Sequence, residues 1–111
     1  MTTFPAIPDI ERWASMPFML QMANIGSEVG RTSKWMLKGR KDMAESAFIR
    51  ALDLMDLTIK CGRLGTPGRA PMLKELLRSR DMFADAFLSE DTATLSWLDS
   101  YYSAFARACR R

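Results

Sequence analysis

The chain has 111 residues, 48% of them hydrophobic and 26% charged, with a net charge of +3. That balance suits one domain with one core, burying roughly 65% of the surface the unfolded chain exposes, and no apolar run approaches the ~18 residues that a membrane span needs. Histidine is absent, which removes the commonest general base near neutral pH, the commonest metal ligand and every Ser-His or Cys-His nucleophile.

Residues 1–7 carry no pattern and are punctuated by Pro5 and Pro8, so an extended lead-in is expected, then a short helical turn over Asp9 to Ala14 that Trp13 packs onto the body. Ser15 as N-cap and Pro17 in the first turn predict a helix from there to Lys38, stopped by Gly39. Phe18, Met22, Ile25, Val29 and Met36 mark its core side. Ala23, Gly26, Gly30 and Ser33 form a small-residue stripe beside it. Each glycine costs a helix about 1 kcal/mol relative to alanine, so the pair points to close approach by a neighbouring backbone.

The second helix is expected over Lys41 to Cys61, ending at Gly62. Ala44, Ala47, Phe48, Ala51, Leu52, Met55, Thr58 and Ile59 recur at three and four residues and share one side. A linker, Arg63 to Ala70, leads to Pro71 in the first turn of a third helix that carries Leu73, Leu76, Leu77, Phe83, Ala84 and Phe87 inward and ends near Ser89. Glu90, Asp91 and Thr92 supply an acidic, capped start for a fourth, with Leu95, Leu98, Tyr101 or Tyr102, Phe105 and Ala108 facing inward. No alternation of period two is sustained. The expected fold is all-α: an antiparallel up-down four-helix bundle with a short N-terminal helical turn, in which residues 1–14 are a lead-in packing on a single domain. Nine methionines suit such a core.

Trp35, Gly39, Ala44, Phe48 and Ala51-Leu52 resemble one half of a tetratricopeptide repeat, standing where that family places its aromatic, its inter-helix glycine and its packing residues. Glu28, Arg31, Thr32 and Asp56 depart from the pattern and no second copy follows 34 residues on. The resemblance implies a local helical hairpin. The segments Asn24 to Arg31, Trp35, Gly39, Arg50 to Ile59 and Leu73 to Leu76 are also similar to those of small, uncharacterised bacterial helical-bundle proteins. That likeness implies a compact helical domain and no particular chemistry. Small helical ribonucleases, which can also be bundles, pair an arginine with a histidine that this chain lacks.

Asp53 and Asp56, three apart, are the nearest thing to a carboxylate pair for Mg²⁺, with Glu28, Asp81 and Asp85 as further oxygen donors. A Mg²⁺-dependent nucleotide hydrolase would need paired acid motifs on facing helices, which are missing, and Asp56 has Lys60 one turn on as a surface partner. No catalytic, cofactor-binding or metal residue is therefore assigned, and no cofactor is expected. Charge is distributed in blocks. Arg31, Lys34, Lys38, Arg40 and Lys41 would meet Asp81, Asp85, Glu90, Asp91 and Asp99 at one end of a bundle, while Lys60, Arg63, Arg69, Lys74, Arg107, Arg110 and Arg111 would collect at the other. Such a basic end suits an acidic protein partner or phosphates. Trp35, Ile49, Leu57 and Trp97 fall off the inward stripes and are candidates for a protein interface, including self-association into a homo-oligomer.

The two cysteines, Cys61 and Cys109, are spaced too far apart for a metal or redox motif, and the opening Met-Thr-Thr-Phe-Pro-Ala lacks the basic and apolar regions of a secretory leader. A cytoplasmic protein with reduced thiols is expected, with no role at a membrane. The functional expectation is a noncatalytic accessory or scaffold protein that acts through protein contacts; the alternative is a nucleic-acid-binding accessory protein that uses the basic end through phosphate contacts.

Overall fold

The computed structural model describes residues 9–62 and 70–109, and among these every regular element is an α-helix. The lead-in 1–8, the linker 63–69 and Arg110 and Arg111 lie outside the described residues. The described residues form five helices: α1 (Ile10–Ala14), α2 (Phe18–Leu37), α3 (Lys41–Gly62), α4 (Ala70–Leu88) and α5 (Thr92–Cys109).

Asp9 opens α1 by accepting the Arg12 backbone N–H at 2.8 Å. Trp13 is buried, and its indole N–H donates to the Thr58 hydroxyl at 2.8 Å, which in turn donates to the Leu54 carbonyl. This fastens α1 onto α3. Ser15 corrects the expected start of the next helix: it closes α1 as C-cap, its hydroxyl donating to the Arg12 carbonyl, and Pro17 is the N-cap of α2. A proline disfavours helical backbone in the residue before it, so a helix cannot run from Ser15 through Met16 into Pro17.

Two turns of the same design reverse the chain. After α2, Gly39 adopts φ +74° while its N–H reaches the Met36 carbonyl and the Arg40 N–H reaches the Trp35 carbonyl. After α4, Glu90 adopts φ 57° while its N–H reaches the Phe87 carbonyl and the Asp91 N–H reaches the Ala86 carbonyl. Both are Schellman ends, which satisfy the last carbonyls of a helix. Asp91 then caps α5 by accepting the Thr94 hydroxyl and N–H, and those bonds hold its carboxyl below the usual range. Lys41 and Glu90 lie 3.7 Å apart, so the two turns are neighbours and the first basic block meets the acidic one there.

α2 packs on α3 and α5, and α4 packs on the same two helices. On α3 the stripe Ala44, Ala47, Phe48, Ala51, Met55, Thr58 and Ile59 is buried, with Leu54 added and Leu52 half-buried. Phe48 stacks on Phe87 at 4.0 Å between ring centroids and tilts against Phe83 at 5.0 Å, joining α3 to α4. Asp56 corrects another expectation: its partner is Arg80 of α4 at 2.8 Å, across helices, rather than Lys60 one turn on. On α4, Leu76, Ser79, Phe83, Ala86 and Phe87 are buried, whereas Leu77 is 43% exposed. On α5, Leu95, Leu98 and Tyr102 are buried; Ala108 is exposed, not inward.

α5 and α2 approach very closely. Gly26 faces Tyr102, Gly30 faces Asp99 and Ser33 faces Ser96, in an order that sets the two helices antiparallel. A Cβ at Gly26 would stand 2.8 Å from the Tyr102 Cβ, and one at Gly30 would stand 2.8 Å from an Asp99 carboxylate oxygen. The small-residue stripe thus serves close packing. Beyond it, the Tyr102 hydroxyl lies 2.6 Å from Ser79 Oγ, whose own proton goes to the Leu76 carbonyl, so tyrosine donates. Burial pushes the Tyr102 phenol up from its ordinary value.

Candidate protein-contact face

The outward side of α5 is built from small and aromatic residues. Between Thr92 and Ala106 its only charge is Asp99, and that side chain lies against Gly30 on the α2 flank. The other flank presents Ala93, Trp97, Tyr101, Ala104 and Ala108 at spacings of four, four, three and four, which place them in one row. Ala93, Ala104 and Ala108 are exposed, and Trp97 is 55% exposed. A surface helix ordinarily turns charges to solvent. Here an uncharged row faces outward over four turns.

Trp97 stacks on Tyr101 with centroids 5.6 Å apart, and Tyr101 meets Phe105 edge-on at 5.8 Å, so the rings form a ladder along α5. At the far end of that ladder is an apolar groove of about 220 Å³ lined by Phe18, Met22, Met72, Glu75, Tyr101 and Phe105. Met72 is 40% exposed at its edge. Glu75 brings the one charge. Its carboxylate accepts the Tyr101 hydroxyl at 3.4 Å, and partial burial with Glu75 nearby raises the Tyr101 phenol above its ordinary value. The groove can take one large side chain.

Alongside this row, α4 presents Lys74, Arg78, Asp81 and Asp85 at spacings of four, three and four, all exposed. None of the four forms an ion pair with a described residue. The α4–α5 face therefore combines an uncharged aromatic row with a separated row of charge, two bases followed by two acids. The opposite flank of α5 borders a second groove of about 290 Å³, lined by Ser27, Gly30, Lys34, Asp99 and Ser103, which the glycines of α2 floor.

Of the candidates read from sequence, Trp97 belongs to this face. Trp35 is half-buried against the core, with Lys38 Nζ at 5.2 Å and Arg40 Cζ at 5.7 Å from its ring centroid. Leu57 is half-buried against the core, and Ile49 is 49% exposed on α3. Lys60 on α3, Lys74 on α4 and Arg107 on α5 are exposed; Arg63, Arg69, Arg110 and Arg111 lie outside the described residues. Glu28 is buried and held by Arg31 and Arg50, and Asp56 by Arg80. Among the described residues no three His, Cys, Asp or Glu side chains lie close enough to hold a metal ion, and no helix is long and apolar enough to cross a membrane. Cys61 is buried and Cys109 is exposed.

The face residues Ala93, Tyr101, Ala104, Met72, Glu75 and Phe105 escape a reading of the sequence that seeks isolated exposed hydrophobics, since alanine is inconspicuous and Phe105 also fits a core row. For the four on α5 the signal is the near-absence of charge along that helix; Met72 and Glu75, on α4, carry no such signal. Comparisons with protein-family models, with curated proteins and with solved structures return no match to this chain.

Proposed function

We propose that the protein is a noncatalytic accessory or scaffold subunit that works by protein–protein contact, with the α4–α5 face as its docking surface. The observation that carries this reading is Trp97, 55% exposed on a helix side that has no charge and leads by stacked rings into an apolar groove. Exposed tryptophan beside a pocket is the usual composition of an interface centre. The architecture behind the face is an up-down four-helix bundle of α2 to α5: the short turns set α2 against α3 and α4 against α5, and the Gly26–Tyr102 and Phe48–Phe87 contacts close the ring. Such a bundle is a rigid frame for a flat contact surface. Capture of partners from the native host with wild type and Trp97→Glu as baits tests the reading: the variant is expected to lose them, and an unchanged set of captured proteins overturns it.

A second reading uses the exposed cations Lys60, Lys74 and Arg107, none of which has a carboxylate of a described residue within 4.0 Å, as counter-charges for phosphates or for an acidic protein. Binding of short RNA or DNA that falls steeply with salt and is lost in a Lys60→Ala, Lys74→Ala and Arg107→Ala triple variant supports it; no binding at low salt removes it.

A further inference from the structure

We infer that the occupant of the α4–α5 face is a second copy of this chain, docked antiparallel about a two-fold axis that passes near Tyr101. This rests on the contact reading above and names its partner.

A two-fold interface requires one patch to be complementary to itself, so every projection must find its recess on the same surface. α5 has both. Trp97 projects, and the groove beside Phe105 receives; eight residues, roughly 12 Å of helix, separate them with Tyr101 midway. Turning one copy end over end about Tyr101 carries the Trp97 of each over the groove of the other. The alanines between and beyond, Ala93 and Ala104, leave room for the two α5 helices to approach.

The charges on α4 are arranged for the same axis. Read along the helix, Lys74, Arg78, Asp81 and Asp85 run plus, plus, minus, minus, and the row is antisymmetric about its midpoint between Arg78 and Asp81. Reversed against a second copy, Lys74 meets Asp85 and Arg78 meets Asp81, four pairs in all with no like charges opposed. α4 and α5 fold back on each other about Glu90, and Ser79 at the midpoint of the row touches Tyr102 at 2.6 Å. One axis therefore satisfies the charge row and the ring ladder together. The four side chains have no ion pair with any described residue of their own chain. The face is about 27 Å long and two helices wide, on the order of 500 to 600 Å² per copy, which reaches the total of about 1,000 Å² that a specific interface needs.

Sedimentation equilibrium on the full chain, from micromolar to hundreds of micromolar, tests the inference with two charge-reversed variants. Lys74→Glu with Arg78→Glu leaves a wholly acidic row, and Asp81→Lys with Asp85→Lys a wholly basic one. Wild type is expected to dimerise, each variant alone to weaken the dimer at least about tenfold, and an equimolar mixture of the two to form a heterodimer, since the rows are then opposite in sign. Trp97→Glu is expected to weaken it by more than about 30-fold. The mutated side chains are exposed, and circular dichroism of each variant establishes that it is folded. A monomeric wild type at hundreds of micromolar overturns the inference, as does a dimer indifferent to Trp97→Glu and to both charge reversals. If wild type is monomeric while Trp97→Glu still loses its captured partners, the second copy is wrong and the contact reading stands. If the captured partners are unchanged as well, both fall.

Discussion

The two flanks of α5 use small residues to opposite ends. Toward α2, the glycines at 26 and 30 bring the backbones so close that Tyr102 and Asp99 occupy the space side chains would have filled. Toward the outer side, Ala93, Ala104 and Ala108 leave space that nothing in the described chain fills, with Trp97 standing out of it. The same economy of volume is structural on one flank and available for contact on the other. Substitutions should therefore hurt stability on the first flank and hardly touch it on the second.

The sharpest break is Gly26→Ala. Its Cβ would meet the Tyr102 Cβ, an atom fixed to the α5 backbone, so the helices must separate; a net loss of about 1 to 3 kcal/mol is expected in urea denaturation, despite the better helix propensity of alanine. Tyr102→Phe comes next. It keeps the ring and removes the hydroxyl that donates to Ser79, and a loss of about 1 kcal/mol should appear in the same measurement. Gly30→Ala sharpens the distinction within the flank: its new Cβ meets only the end of the Asp99 side chain, which can rotate aside, so clash and propensity nearly cancel and the change stays within about 0.5 kcal/mol. Last is Trp97→Ala, which, at a protein concentration too low for self-association, removes a largely exposed ring and its stack on Tyr101 and should cost no more than about 0.5 kcal/mol. A large loss there would mean that Trp97 belongs to the core.

The parts legible in the sequence are those set by local period. The α3 stripe can be read because apolar and small residues, chiefly alanine, phenylalanine and methionine, recur on one side over more than four turns, and the α2 glycines because their cost in a helix demands a reason. The parts that are not legible depend on which helix stands opposite. Asp56 has a plausible lysine one turn away, yet the better-placed cation, Arg80, lies 24 positions on and comes near only when α4 packs on α3. Glu28 reads as a surface acid or a metal donor, but packing brings Arg50 onto it beside Arg31. Ser15 looks like a cap until the proline two residues later is allowed to forbid helical backbone between them. On α5, two adjacent tyrosines leave the phase of the helix ambiguous by one position, and that ambiguity decides which ring is core and which belongs to the outward ring ladder.

The turn after α4 has one more implication. Glycine stands in the left-handed position at Gly39, but the matching position after α4 is given to Glu90, whose side chain makes such backbone roughly 1 to 2 kcal/mol dearer. The molecule thus has room for added stability at a turn that lies beyond the end of the ring ladder and far from the groove. Glu90→Gly should therefore raise the stability of the fold while leaving Trp97 and the groove as they are.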